Sequence, residues 1–298
     1  MYDYLLHHPD LFPAVLGITH QAFDRVVTKA HPILFRIWKT RALDPRRKRA
    51  MGGGRKRVFD TEASLVFLVL FYYKVYPTFR LAQVVFELDK KNIWYWVTMM
   101  KPVVEETLGK ELVLPTTKVR HMGELLPVCP DLAAFIVDAT EQKIRRPQDP
   151  HDQEHYYSGK KKSHTVKRQL LVHPTTHKIL AVSKTVEGKR HDKKLCEDDG
   201  MILRAPPGAV GMGDSGYQGA EDINPLIKFV YPTRKPKGKE LTPIQRETNR
   251  TIARIRVAVE HPFAWMKHFN ILAHTWRNTR TSMDTPFRTL AALYNFTR

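Results

Sequence analysis

The sequence predicts two parts: an all-α region containing a helix-turn-helix, then a mixed α/β domain with a sheet flanked by helices. Three observations carry that expectation. Helical periodicity dominates up to about residue 100, two short apolar runs after residue 132 each end in an aspartate, and a long amphipathic pattern follows from residue 242. At 298 residues the chain is long enough for a small module plus a mid-sized domain.

Residues 1–43 mix apolar and polar positions at helical spacing, as at Phe23, Val26, Val27 and Ala30, and short helices are expected there. A run of mostly basic residues and a Gly triplet follows, from Asp44 to Arg57. Its density of one charge suits contact with phosphates, with Arg55, Lys56 and Arg57 closest to the next element, and a solvated linker is the alternative. Asp60 or Thr61 can cap a helix through Leu65, Leu68, Val69 and Tyr72 that ends at Pro77. A short helix, Thr78 to Phe86, then leads after a few residues to another, Lys90 to Met100. That is helix-turn-helix spacing. Leu81, Val84, Val85, Ile93, Trp96 and Val97 are expected to form its shared core. Lys90, Lys91, Asn92 and Tyr95 take the outward face, where they could meet base edges or phosphates.

After Pro115 the pattern becomes mixed. Ala133 to Asp138 reads as a buried strand delivering a carboxylate at its end, and Gly208 to Asp214 repeats that form. Between them, His164 to His173 and Lys178 to Lys184 form a hairpin about a Pro-Thr-Thr turn, and Asp192 is placed to cap a short helix through Cys196. The last clear helix runs from about Thr242 to His268 and carries Glu260. The resulting organisation is residues 1–57 as N-terminal helices and basic linker, 58–112 as the helix-turn-helix module and 113–298 as the α/β domain.

Composition narrows the partner. A net charge of +19 predicts salt-sensitive attraction to a polyanion. Cys129 and Cys196 have no CxxC companions, which argues against a disulfide framework or zinc site. The longest apolar run, Leu65 to Tyr73, is too short to span a bilayer, which takes about 20 residues. The expectation is a soluble cytoplasmic protein with nucleic acid as partner and no membrane.

Asp138, Asp214 and Glu260 are oxygen donors from three separate elements, the set that two Mg²⁺ or Mn²⁺ ions need to promote in-line displacement at a phosphodiester. Arg256, Glu260 and Lys267 share one helix face, so Arg256 could steady the Glu260 carboxylate and Lys267 could reach a phosphate. Lys160, Lys161 and Lys162, after a Gly-broken turn, are further candidates for phosphate contact.

Four segments together resemble the DDE-superfamily transposases of bacterial insertion sequences, in the insertion-sequence five group related to Harbinger elements. They are GGGRKRVFDTEASLVFLVLFYYKVYPTFRLAQVVFELDKKNIWYWV; VDAT with YSGKKKSHTVK; GDSGYQG; and RIRVAVEHPFAWMK. The resemblance implies an RNase H-like core, Mg²⁺-dependent cleavage at terminal inverted repeats and transfer of a 3′-hydroxyl strand to target DNA. It also implies Asp138, Asp214 and Glu260 as metal ligands, and His191-Asp192 as a recurrent pair supporting them. The tyrosine that related enzymes carry three residues before the arginine is Ala253 here. Pairing of two DNA ends implies a homodimer, and a bacterial transposase is expected at the nucleoid. A nuclease without strand transfer, or a domesticated DNA-binding protein, are the alternatives.

Overall fold

The computed structural model describes residues 1–43, 58–109 and 133–298. The basic run with Arg55, Lys56 and Arg57, and Cys129, lie outside the described residues.

The N-terminal region is helical: α1 (Tyr2–Leu6), α2 (Phe12–Leu16), α3 (His20–Ala42), α4 (Glu62–Val75), α5 (Phe79–Phe86) and α6 (Lys90–Leu108). The expectation of short helices before residue 43 is corrected by α3, a single helix of 23 residues that continues through Pro32. Thr61 and Ser64 close a reciprocal capping box at the start of α4, which satisfies two of the orphan N–H groups of the first turn. Every side chain from Ser64 to Tyr73 is buried. A helix that is apolar all round belongs inside, and α4 is the mast around which α2, α3 and α6 pack.

The shared core expected of α5 and α6 needs correction. Ile93 and Val97 are fully buried, but Leu81, Val84 and Val85 are exposed and Trp96 is half-buried. α5 instead seats on Ala82, whose small side chain allows close approach, and on Phe86, whose ring meets those of Phe59, Phe67 and Phe71. The broader apolar stripe therefore faces solvent.

The second region is built on a mixed sheet. β1 (Ala134–Lys143) pairs antiparallel with β3 (Ser163–Val172) over eight residue pairs, Ile136 to Lys143. On its other side β1 pairs parallel with β6 (Val210–Met212), which pairs parallel with β7 (Lys228–Val230). The outer edge of β3 is lined in turn by β2 (Tyr157–Ser158), β5 (Val186–Glu187) and β4 (Ile179–Val182). The expected hairpin is thus present as β3 and β4.

Alternation along the strands supplies two layers. Ile136 and Leu170 join a core with Val259 and Phe263 of α9 (Pro243–Lys267) and with Leu290 and Leu293 of α11 (Asp284–Phe296). Val137 and Leu171 point the other way, into a core with Leu180, Tyr217 and Cys196 of α8 (Asp192–Asp199). The first core is continuous with α2 to α6, and polar ties reinforce the junction. Asn270, in α10 (Asn270–Ala273), donates to Val75 O at 3.3 Å, and Arg288 meets Glu105 at 2.6 Å. α7 (Pro150–Tyr156) packs against β3.

Sequence periodicity stopped at α9 and left out α11, ten of whose thirteen residues are buried. Two polar side chains fix that helix. Asn295 accepts from Ile179 N at 2.9 Å and donates to Ile179 O at 2.8 Å, so it satisfies both backbone groups of a buried strand residue. Arg168, fully buried on β3, donates to Thr185 at 2.7 Å and to Gln142 at 3.0 Å, and lies over the Phe287 ring. Replacement Asn295→Ala is expected to cost about 2 kcal/mol or more in urea denaturation, since both Ile179 groups lose their partners; a loss under about 0.5 kcal/mol would contradict the clamp.

Candidate active site

Asp138 was expected at the end of its strand. It lies instead in the middle of β1, because pairing with β3 continues to Lys143. Its side chain alternates with Val137 and so shares the face of Ile136, beneath α9. Asp138 Oδ1 accepts from Ala139 N at 2.8 Å, and Oδ2 lies 3.8 Å from Arg256 of α9. Burial pushes this carboxyl up from 3.8 to about 6. The Ala139 N–H and the Arg256 charge oppose that rise, while the charges of Asp214 and Asp192 add to it.

Asp214 follows β6. Ile136 pairs with Met212 in the parallel ladder, so continuation by two residues brings Asp214 level with Asp138. Asp214 Oδ1 accepts from Gly216 N at 2.7 Å, which caps the short 3₁₀ turn Ser215–Tyr217 and fixes the carboxylate at the strand exit. Gly216 is needed for crowding, not for turn conformation. A Cβ there would stand 2.8 Å from Asp214 Oδ1 and 3.0 Å from Asp192 Oδ2, so the glycine lets the two carboxylates approach each other.

Asp192 does not cap α8, as the sequence suggested. It is the first residue of α8, and His191 holds the cap position through its backbone with no side-chain bond. The Asp192 side chain is instead taken by Lys167 of β3 at 2.8 Å, and Lys167 also donates to Arg190 O at 2.6 Å. Two residues along, the fully buried Gln169 donates to Asp192 O at 2.8 Å and to the Tyr217 hydroxyl at 2.9 Å. β3 thereby anchors the elements that carry Asp192 and Asp214. Lys167, Gln169 and Tyr217 were not singled out in the sequence. The available signal was a charged and an amide residue inside an otherwise apolar strand, at the spacing of one face.

From α9, Arg256 meets Asp138 and not Glu260, a correction to its expected partner. Burial and the Lys161 charge lower the Lys267 ammonium, and Asp138 acts the other way, so Lys267, Lys161 and Asp138 lie within electrostatic reach. Arg256 and Lys267 thus both interact with Asp138 from one face of α9. Glu260 lies between them on that face and is exposed. The carboxylate oxygens of Asp138, Asp214 and Glu260 do not all lie within 4.8 Å of one another. Among the described residues, the group with three donor atoms inside a common 4.8 Å is Asp149, His151 and Asp152. Two of those are already engaged: Asp149 caps α7 through Asp152 N, and Asp152 pairs with Arg280.

The remaining candidates are surface groups. Lys160, Lys161 and Lys162 are exposed in the turn before β3, with Lys162 in a left-handed conformation (φ 48°). Lys90, Lys91, Asn92 and Tyr95 are exposed at the start of α6, and the Tyr95 hydroxyl accepts from Arg41 of α3 at 3.2 Å. Asp89 caps α6 through Lys91 N at 2.8 Å, and Glu87 occupies the left-handed turn position that glycine would favour (φ 50°). Arg234 is an addition: it donates to Ser215 O at 2.7 Å, beside Asp214.

Half-buried carboxylates gathered around β1 and the end of β6, with cations beside them and all-oxygen donors, fit a hard divalent ion. The family comparison agrees. The family described as DDE superfamily endonuclease matches residues 137–295, just over half of the chain, and this protein belongs to that family. The chain is 27% identical over 289 residues to a protein of Microchaete diplosiphon named a probable transposase for insertion sequence element IS702, with 96% of this chain and 93% of the relative covered. It is also 27% identical over 161 residues to a protein of Streptomyces albus G provisionally named a transposase for insertion sequence element IS112, covering 51% of this chain and 56% of the relative. No solved structure gives a significant match. The protein is therefore a DDE-type transposase, an enzyme that cleaves DNA, and the family implies use of divalent metal. No helix among the described residues is long and apolar enough to cross a membrane.

The Asp138 carboxyl has a consequence for stability. Its folded value, about 6, stands above its unfolded value, so the folded state holds the extra proton between them. The associated stability is fully present below about pH 4 and is lost as pH rises through about 6. In metal-free buffer Asp138→Asn is expected to raise the unfolding free energy at about pH 8 by on the order of 3 kcal/mol, with the gain gone near pH 4. Urea titrations at both pH values check this; a variant less stable than wild type at about pH 8 would contradict it.

Proposed function

We propose that this transposase cleaves at its element's terminal inverted repeats and transfers the freed 3′-hydroxyl strand to target DNA, with Asp138, Asp214 and Glu260 as metal-holding acids. The observation that carries the reading is the proximity of Asp138 on β1 to Asp214 just beyond the end of the parallel strand β6, with Asp138 also reached by Arg256 and Lys267 from the α9 face that bears Glu260. The strand order β4, β3, β1, β6, β7, with the first three antiparallel and the last three parallel, supports an RNase H-like core.

Two Mg²⁺ or Mn²⁺ ions held by these acids would supply Lewis-acid stabilisation for in-line attack on a phosphodiester. The chain's own residues do the rest. Gly216 N and Ala139 N fix the two aspartates, and Lys167 holds Asp192 beside them. Arg256 compensates part of the carboxylate charge, while Lys161 and Lys267 are placed to grip a phosphate near Asp138. Glu260, exposed on the α9 face that carries Arg256 and Lys267, would complete the set. In cleavage, water oxygen bonds to phosphorus and the 3′ oxygen leaves. In transfer, that 3′ oxygen bonds to a target phosphorus and the target's own 3′ oxygen leaves, so one phosphodiester replaces another.

The α5 to α6 unit acts as a helix-turn-helix, with Lys90, Lys91, Asn92 and Tyr95 toward duplex DNA and Arg55, Lys56 and Arg57 following the backbone. Boundaries near residues 57 and 112 separate linker, DNA-binding module and catalytic domain, and a homodimer pairs two ends at the bacterial nucleoid. Asp192, held by Lys167, and His191 at the α8 cap support the site without holding metal.

Incubation of the full chain with end-bearing duplex and Mg²⁺ is expected to give joined as well as nicked products. Nicked products alone would leave a nuclease. Asp138→Ala, Asp214→Ala and Glu260→Ala should each reduce cleavage at least about a hundredfold while leaving DNA binding nearly intact. An acid whose loss leaves cleavage near normal is not part of the site. Lys91→Ala should weaken binding to all sequences and make the salt dependence shallower by about one phosphate contact; an unchanged slope would remove α6 from the interface.

A further inference from the structure

The loop from β7 into α9 and the first turns of α9 form a charged surface that the active site does not account for. Between Arg234 and Arg254 there are seven basic residues, Arg234, Lys235, Lys237, Lys239, Arg246, Arg250 and Arg254, against two acidic ones, Glu240 and Glu247. The first nine residues of α9, Pro243 to Thr251, bury no side chain; the first buried one is Ile252. About 14 Å of helix therefore projects from the body of the protein. With Gln245 and Asn249 only half-buried, packing constrains this stretch little, so its composition is free to serve a partner.

Arg246, Arg250 and Arg254 fall at i, i+4 and i+8, one exposed stripe about 12 Å long. That length spans about three or four base steps of duplex. Lys235 is paired to Glu240, and Arg250 has a 3.5 Å contact to Glu247. Among the described residues, Lys237, Lys239, Arg246 and Arg254 have no carboxylate within ion-pair distance. The loop is tied at two points. Asn249 of α9 accepts from Thr233 N at 2.9 Å and donates to Thr233 O at 3.0 Å, and Arg234 donates to Ser215 O. The strip thus starts one residue from Asp214 and runs outward along α9.

We propose that residues 234–254 form a second phosphate-binding strip, separate from the α5 to α6 unit, that holds duplex DNA leading away from the cleaved bond. This rests on the transposase reading above. Phosphate recognition follows from the charge and spacing; the choice of DNA follows from continuity with Asp214. An anionic membrane would call for an apolar face opposite the arginines, and the projecting turns offer Ile244 alone.

The test uses the full chain, with R246Q/R250Q/R254Q compared against K178Q/K184Q/K194Q, three exposed lysines elsewhere that match the loss of net charge. Affinity for a duplex of a few helical turns, without end sequence, is measured across a salt series. The strip variant is expected to lose roughly tenfold or more in affinity, with a log–log salt slope shallower by about 2 to 3, while the control shifts by less than about 1. Equal behaviour of the two variants would overturn the strip. So would loss of binding to phosphatidylglycerol vesicles with the duplex slope unchanged, which would assign the surface to a membrane. A wild-type chain that neither binds nor cuts duplex would instead defeat the transposase reading itself. Thermal unfolding should match wild type because these turns bury nothing, and single Arg246→Gln and Arg254→Gln variants, each expected to change the slope by about 1, serve if the triple variant unfolds.

Discussion

Holding like charges together inside a protein is costly, and the catalytic half of this chain is organised around that cost. Asp138 is half-buried in a central strand with Asp214 and Asp192 both adding to the energy of its ionised form. Moving such a group to the surface would relieve it, but the backbone forbids this. Asp138 sits within eight consecutive pairs between β1 and β3, and a one-residue slip would turn every apolar neighbour to the wrong face. The fold can thus retain an arrangement that local electrostatics opposes. Stability is given up at the place where the proposed function would put a cation.

The surrounding residues limit the cost without removing it. Arg256 approaches to 3.8 Å, close enough to attract and too far for a hydrogen bond, so Asp138 Oδ2 keeps capacity for another partner. Lys167 takes Asp192 Oδ1 at 2.8 Å, and Gln169 pins the backbone behind it. Of the three aspartates, Asp192 is tied to Lys167, while Asp138 is left under-compensated on the α9 side of the sheet. On the proposed reading that asymmetry would separate a supporting acid from metal-holding ones, and it depends on which face of β3 each partner occupies.

Much of this was legible in the residues. Thr61 and Thr242, each followed three residues later by a capping partner, marked the starts of α4 and α9, because capping is a local hydrogen-bond rule. The strand-then-acid runs marked β1 and β6 for the same reason: burial of an apolar stretch is visible without the partner. What failed was non-local. The length of β1 beyond Asp138 depends on β3, and the polar stretch Asp138 to Gln142 gives no apolar signal of its own. α5 carries two apolar stripes, and only the packing of α4 decides that Ala82 and Phe86 go inward. Asp192 looked like a helix cap until Lys167, 25 residues earlier, claimed it. α11 was missed because it is only thirteen residues long and the polar Thr289 and Asn295 stand among its buried positions, which blurs the apolar signal.

The central claim is that Asp138 and Asp214 jointly bind divalent cation. The direct measurement is Mn²⁺ titration of the full chain with duplex bound, followed by electron paramagnetic resonance of the free ion, for wild type, Asp138→Asn and Asp214→Asn. The account predicts saturable uptake by wild type and loss of it in both variants, even though Asp138→Asn folds more stably. Uptake by either variant equal to that of wild type would contradict it.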